Sequence, residues 1–293
     1  MTIGTGDVGG SFYPVGAAIA KAINDYVPGA KVNVETAAGS PDNARNVQAG
    51  NVDLGLATSD VCLAAMEGIK AFEGKPSPDL RAIFALYGSV SQWLALDDSG
   101  VEYVDELGGK NVSVGMTASA TEIGARVALE AAGIKYPDGI NAQFLGIGEG
   151  ADAVRDGTAV AVHSFGGLPQ GGYLDLSSTK TVRLLKYKPE TLQKILDENS
   201  YYYRASIPLD VYKVTNTEPP ESFGVKALFI TNAKMDEELV YNITGACLEH
   251  IDELINGHAS LKAMEDIVFV TNDIAIPLHP GAERYMKEKG FIK

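Results

Sequence analysis

Six times along this chain a short apolar run ends in a turn rich in glycine, hydroxyl or other polar residues, and each turn opens a helical pattern. That alternation leaves little choice besides an open, mostly parallel α/β sheet, because each intervening helix carries the chain back to start the next strand in the same direction. The first series predicts strand Met1–Thr5 and helix Val15–Tyr26, then strand Lys31–Thr36 and a helix opening at Ser40. Strand Val52–Thr58 follows, with a helix opening near Ser59 or Asp60. An extended apolar stretch, Leu80–Asp97, holds Tyr87 and the only tryptophan, Trp93. The second series then predicts strand Asn111–Gly115 with a helix from Ser119, strand Asn141–Leu145 with helix Gly150–Asp156, and strand Ala159–Ser164 with a helix from Pro169. Strand Val182–Leu185, a further apolar run Val225–Thr231 and one long helix, Asp236–Ile255, complete the pattern. Two similar α/β series joined by two extended crossings predict two lobes with a hinge and a ligand cleft between them. Lobe I is expected from residues 1–92 plus 213–293 and lobe II from 93–212, and clefts of this kind are common sites for small ligands.

The charge balance narrows the partners. Lys and Arg total 24 against 38 Asp and Glu, a net charge of −14. Such a chain repels phosphate backbones, so no nucleic-acid partner is expected. No stretch reaches the roughly 18–20 apolar residues that span a bilayer. Met1 leads straight into the first strand, which fits either a cytoplasmic chain or the mature part of an exported one. Cys62 and Cys247 both lie in apolar helical patterns and are expected as buried, unpaired thiols. The four histidines show no metal-ligand spacing, so neither a metal nor a cofactor is expected.

The first strand runs into a glycine-dense turn in which Gly4, Gly6 and Gly9 match the dinucleotide fingerprint G-x-G-x-x-G. The context argues against a nucleotide. The turn continues through Gly10, Ser11, Phe12, Tyr13 and Pro14, so the helix should start late, and the acid of the second strand, Glu35, arrives several residues too far on. What remains is a backbone cradle at a helix N-terminus, suited to a small anion.

Comparable loops recur at other strand ends. Gly39-Ser40-Pro41-Asp42-Asn43 predicts a helix start with Ser40 as N-cap and Pro41 at the first helical position. Thr58-Ser59-Asp60 repeats the pattern. Thr117-Ala118-Ser119-Ala120-Thr121 and His163-Ser164-Phe165-Gly166-Gly167 end strands of the second series. Plain alternatives exist for each residue: capping for the hydroxyls, a helix N-terminal charge for Asp60, packing for His163. Tyr13 and Tyr87 are either pocket walls or core. None of the loops contains a Ser-His-Asp arrangement, a cysteine nucleophile or a close carboxylate pair. Hydroxyls, an amide and backbone N–H groups recognise a ligand and do little to transform it, so a binding protein is expected rather than an enzyme.

Thr5-Gly-Asp-Val-Gly-Gly-Ser-Phe-Tyr-Pro-Val-Gly16, Gly39–Asn43, Thr58–Asp60, Ser119–Thr121 and Ile276-Pro-Leu-His-Pro-Gly-Ala-Glu283 together resemble the TAXI branch of solute receptors for tripartite ATP-independent periplasmic (TRAP) transporters. The chain departs from that pattern where Gln-Ser-Asp reads Thr58-Ser59-Asp60, Ser-Gly-Thr reads Ser119-Ala120-Thr121, and Asp-Ala reads Val160-Ala161. The resemblance implies a type II periplasmic-binding-protein fold, a periplasmic location and an export signal absent from this chain. It also implies a monomer that delivers its ligand to TRAP membrane subunits; members of the branch bind glutamate or glutamine, and others are associated with dicarboxylates. On this reading the ligand carboxylate meets the N–H groups of Gly9, Gly10, Ser11 and Tyr13 and of Ser40 to Asn43. Ser59 and Asp60 contribute beside them, with Asp60 meeting an ammonium group. Thr117, Ser119 and Thr121 hold the other end, Tyr13 and Tyr87 wall the site, and His163 and Phe165 are further ligand-binding candidates. Arg45, one helical turn beyond the Ser40 loop, is expected to form a salt bridge instead. Two rivals are carried: a ligand-sensing domain of the same fold, and a nucleotide-dependent oxidoreductase built on Gly4–Gly9.

Overall fold

The predicted alternation is visible throughout the computed structural model, which describes Met1–Lys293. The first series gives strand β1 (Thr2–Gly4), helix α1 (Phe12–Tyr26), β2 (Asn33–Glu35), α2 (Ser40–Ala49), β3 (Leu54–Thr58) and α3 (Ser59–Glu67). The long strand β4 (Leu80–Leu96) precedes the second series: β5 (Asn111–Ser113), α4 (Ala120–Ala131), β6 (Asn141–Gln143), α5 (Ile147–Arg155), β7 (Ala161–Gly166) and α6 (Gly171–Thr179). Strand β8 (Val182–Leu184), α7 (Pro189–Glu198) and β9 (Tyr203–Ser206) follow. The chain then runs through β10 (Glu221–Asn232), α8 (Glu237–Leu248), α9 (Ile251–Gly257), α10 (Ile267–Thr271) and α11 (Pro280–Glu288).

Two compact units result. One comprises Met1–Gly6, Ser11–Gly88 and Lys226–Lys293, the other Asp7–Gly10 and Ser89–Val225. The junctions fall inside β4 and β10, at 88/89 and 225/226, rather than at the 92/93 and 212/213 read from the sequence. Asp7–Gly10, placed with lobe I from the sequence, packs with the second unit.

In the first unit β1 pairs in parallel with both β2 and β3, and β10 runs antiparallel to β3 with Phe229 opposite Leu56. Its core gathers Ile3, Ile19, Ile23, Leu54, Leu56, Phe84 and Phe229, all fully buried. In the second unit β5 pairs in parallel with β6 and β7, while β4 runs antiparallel to β7 and β8. One face of that sheet packs Trp93, Val112, Leu129 and Phe223, the other Leu94, Val154, Val162 and Tyr173.

Local departures from the sequence reading have physical causes. Helix α1 starts at Phe12, three residues earlier than expected, with Pro14 in its first turn. A first-turn N–H has no intrahelical partner, so its absence there breaks no helical bond. Helix α2 takes Gly39 as its N-cap, so Ser40 is the first helical residue and not the cap. Helix α5 starts at Ile147, three residues ahead of Gly150. The single helix expected over Asp236–Ile255 is two, α8 and α9. They part at His250, whose backbone (φ −123°, ψ 37°) leaves helical geometry. Its ring stacks on Tyr26 with centroids 3.4 Å apart.

The Pro277–Glu283 stretch has a structural explanation. His279 caps α11, its Nδ1 accepting from the Gly281 N–H at 3.2 Å while Nε2–H donates to the Met235 carbonyl at 3.1 Å. Gly281 lets α11 touch the backbone of α8: a Cβ there would fall 2.2 Å from the Glu237 carbonyl oxygen. Cys62 and Cys247 are buried, free thiols, and burial pushes the Cys247 thiol up to about 12.

Candidate ligand site

Parallel strands put their carboxyl ends on one edge, and in the first unit β1, β2 and β3 each run from that edge into a helix. Three helix N-termini therefore open along it, those of α1, α2 and α3. None is capped by a side chain. The reasons differ. The Ser11 hydroxyl, at the N-cap of α1, pairs with the Tyr87 hydroxyl at 3.1 Å instead of turning back on the helix. The N-cap of α2 is a glycine, and the neighbouring Ser40 Oγ accepts from the Thr58 N–H at 3.0 Å. Thr58, the N-cap of α3, donates its own hydroxyl to Ser40 Oγ at 3.4 Å. Each N-terminus carries about half a positive charge in partial dipoles, and first-turn N–H groups need acceptors.

Asn43 holds this edge together. Its amide donates to the carbonyls of Thr5 and Leu56, both at 2.7 Å, so one buried side chain spans the ends of β1 and β3. Its Oδ1 faces Gly4, where a Cβ would lie 2.6 Å away, and only glycine fits. Asn43 therefore points into the fold. Tyr87 does the same: it is 1% exposed within the core of the first unit, and burial raises its phenol far above the usual range. Ser59 and Asp60 form the buried first turn of α3, and Tyr13 is half-buried in the first turn of α1. Arg45 makes no salt bridge. It donates to the Ala71 carbonyl at 2.9 Å and lies over the Phe72 ring.

The second unit also opens three helices at the carboxyl ends of its parallel strands, but here internal acceptors meet them. Ser119 caps α4, its Oγ accepting from the Glu122 N–H at 3.1 Å. At α5 the Ile147 N–H donates to the Asp7 carboxylate at 2.8 Å. At α6 the Gln170 N–H donates to the Tyr212 hydroxyl at 2.7 Å and the Gly172 N–H to the Gly9 carbonyl at 3.1 Å. Gly9 is thus engaged on this unit through its carbonyl, and the Gly10 N–H donates to the Asp7 carbonyl at 3.0 Å. Thr117 is exposed on the turn before α4.

His163 is fully buried and belongs to a directed chain of hydrogen bonds. A carbonyl can only accept, so His163 Nδ1–H donates to the Thr121 oxygen at 3.0 Å. Nε2 then accepts from Ser91 Oγ at 2.8 Å, Ser91 Oγ accepts from the Tyr187 hydroxyl at 2.7 Å, and Tyr187 accepts from Trp93 Nε1–H at 2.8 Å. Every proton in the chain is assigned. Burial lowers the imidazole to about 3, so the ring is neutral. Phe165 packs against Tyr202 and Phe223, and its N–H meets Thr121 Oγ1 at 3.4 Å. His163, Phe165, Tyr87 and Asn43 are all buried, each within its own unit.

Sequence reasoning missed Asp7, Gln170 and Tyr212. A usable signal existed for Asp7: an acid flanked by glycines, matched later by the second glycine run Gly146-Ile-Gly-Glu-Gly150. None existed for Gln170, a fully buried N-cap whose Nε2 donates to the Gly167 carbonyl at 2.7 Å. A separate hollow of about 280 Å³ lies at the other end of α2, lined by Gln48, Asp53, Asn232 and Lys234. It faces the negative end of that helix, and its lysine is paired with Asp79, so it suits an anion poorly.

The profile of the NMT1-like family matches residues 3–290. Among solved structures, an ancestral arginine-binding protein bound to arginine aligns with a TM-score of 0.50 and 14% identity, over 91% of this chain and 96% of that one. A protein of Bordetella bronchiseptica RB50 aligns with a TM-score of 0.53 and 14% identity, over 99% and 81%. The periplasmic aliphatic sulphonate binding protein SsuA of Escherichia coli aligns at 0.48 and 15% identity, over 98% and 78%. The chain has the α/β fold of periplasmic binding proteins, with neighbours of the type II class.

Proposed function

The chain belongs to the NMT1-like family, and from that premise we propose that it is an extracytoplasmic solute-binding protein for a small carboxylate. The observation that carries the ligand class is the row of three uncapped helix N-termini along one edge of the first unit. An anion placed there receives first-turn N–H groups and the favourable ends of three helix dipoles, with no arginine required. Charge-assisted hydrogen bonds contribute about 1.5–3 kcal/mol each, so a few of them, less the cost of ordering, are enough for micromolar binding. Delivery to the membrane subunits of a TRAP transporter is supported by the resemblance of the Thr5–Gly16, Gly39–Asn43, Thr58–Asp60 and Ile276–Glu283 stretches to TAXI receptors.

Asp60 supports an amino acid over a dicarboxylate. It places a buried acid, 7% exposed, in the first turn of α3, beside the N–H groups that would hold the carboxylate. A thermal-shift screen of L-glutamate, L-glutamine and C4–C5 dicarboxylates tests the class, because a ligand at 100 times its Kd stabilises the fold by about 2.7 kcal/mol. No shift with any of them overturns the carboxylate reading. Asp60→Asn is expected to weaken L-glutamate by about tenfold or more and to leave succinate equal or tighter. Equal losses for both would remove Asp60 from ammonium recognition. Transport is tested by uptake of the stabilising ligand into vesicles bearing TRAP membrane subunits, which the protein should stimulate.

A further inference from the structure

The glycines around Asp7 read as one half of a docking pair. The segment Asp7–Gly10 lies on α5 and α6: Asp7 Oδ2 accepts the Ile147 N–H at 2.8 Å, and the Gly9 carbonyl accepts the Gly172 N–H at 3.1 Å. The Gly10 N–H closes the loop on the Asp7 carbonyl at 3.0 Å. Bare backbone faces bare backbone. A Cβ on Gly9 would lie 2.7 Å from the Gly148 nitrogen, and one on Gly146 would lie 3.1 Å from the Asp7 carboxyl carbon. A side chain at Gly9 would force this segment and α5 apart, and one at Gly146 would crowd the Asp7 carboxylate.

We propose that Asp7 is the resident anion of the α5 N-terminus, a carboxylate supplied by the chain itself where an external one would otherwise bind. α5 is a nine-residue helix with glycine as its N-cap, so it has no side-chain cap of its own for the Ile147 N–H. Glu149, at its third position, accepts from the Gly146 N–H at 3.3 Å and leaves Ile147 to Asp7. Tethering gives the Asp7 carboxylate an effective concentration in the millimolar range or above, so a dilute external carboxylate does not displace it. The consequence for specificity rests on the function proposed above. With α5 filled by Asp7, α4 capped by Ser119 and α6 met by Tyr212 and Gly9, the charge of the ligand is read by α1, α2 and α3.

The test uses the full chain and sodium acetate as the probe, at ionic strength held constant with chloride. In Asp7→Ala, exchange of the Ile147 amide with solvent should speed by about tenfold or more. Acetate should then raise the melting temperature saturably by more than it does in the wild type and slow that exchange again, while Ile147 exchange in the wild type does not respond to acetate. If Asp7→Ala does not fold, Asp7→Asn keeps a neutral acceptor, and its Ile147 amide should exchange faster than in the wild type. Unchanged Ile147 exchange in the variants overturns the proposal, as does an acetate response in Asp7→Ala no larger than in the wild type. The readout is local to α5, so it stands or falls separately from the glutamate and dicarboxylate screen. A negative screen with a positive acetate rescue would sink the ligand class and leave Asp7 in its role.

Discussion

His163→Gln should flatten the acid limb of the stability curve. In the unfolded chain an imidazole takes up its proton near 6.5, whereas in the fold burial holds His163 down to about 3. Between those values the unfolded state binds the extra proton. The contribution is therefore complete above pH 6.5 and is lost progressively as pH falls towards 3, at about 1.4 kcal/mol per pH unit. From pH 6.5 to 4 that amounts to on the order of 3 kcal/mol. His279 is also lowered by burial and adds a loss of the same sign, so the variant's curve is shallower by one proton and not flat. Below about pH 4 the carboxyls held low by hydrogen bonds and ion pairs, Asp79, Asp97, Glu106 and Glu249, begin to add their own losses. At neutral pH the substitution breaks the chain from Trp93 to Thr121, which costs about 2–4 kcal/mol for a buried network left partly unpaired. Urea unfolding of wild type and variant at pH 7, 6, 5 and 4 measures both effects. Parallel curves would remove His163 as the source of acid sensitivity.

Asn43→Asp should be among the most damaging substitutions of similar size in the first unit. It exchanges the amide that bonds Thr5 and Leu56 for an oxygen that faces two carbonyl oxygens in a fully buried position. Two backbone acceptors lose their donor, and the new acid must be protonated or sit uncompensated. Together these cost about 3–5 kcal/mol. Asn43→Ala removes the donor without the repulsion and should lose less. If Asn43 were a ligand contact, as its place in the Gly39–Asn43 loop suggests, Asn43→Asp would weaken binding and leave the melting temperature unchanged. Calorimetric unfolding of the two variants separates these outcomes.

Those two residues mark where the sequence stops being legible. The strand–helix alternation follows from local periodicity and turn chemistry, and β1–α1, β2–α2 and β3–α3 appear in the expected order. The loops expected to carry polar chemistry also lie at the carboxyl ends of those strands. Which way each polar side chain turns is decided elsewhere. Asn43 is claimed by carbonyls 38 and 13 residues away in sequence, and His163 by Ser91, 72 residues away. Ser40 reads as a cap, yet Gly39 takes that position and frees its hydroxyl for Thr58. The opening glycine run reads in the sequence as a backbone cradle for a small anion, whereas in the structure it is met by other backbone. The approaching backbone is that of α5 and α6, through Gly148 and Gly172, and no local pattern near Gly9 encodes it. At the break between α8 and α9, His250 stacks on Tyr26 of α1, a partner that no local pattern near it encodes.

In the proposed function a small carboxylate is held by the first-turn amides of α1, α2 and α3. A titration of ¹⁵N-labelled protein with L-glutamate, and in parallel with succinate, reads those amides directly. Saturable shifts are expected at Phe12, Tyr13, Ser40, Asp42, Ser59 and Val61 with one of the two ligands, and small changes at Ile147 and Gly172. Saturable shifts centred on Ile147 and Gly172, with the amides of α1, α2 and α3 unmoved, would contradict the proposed function.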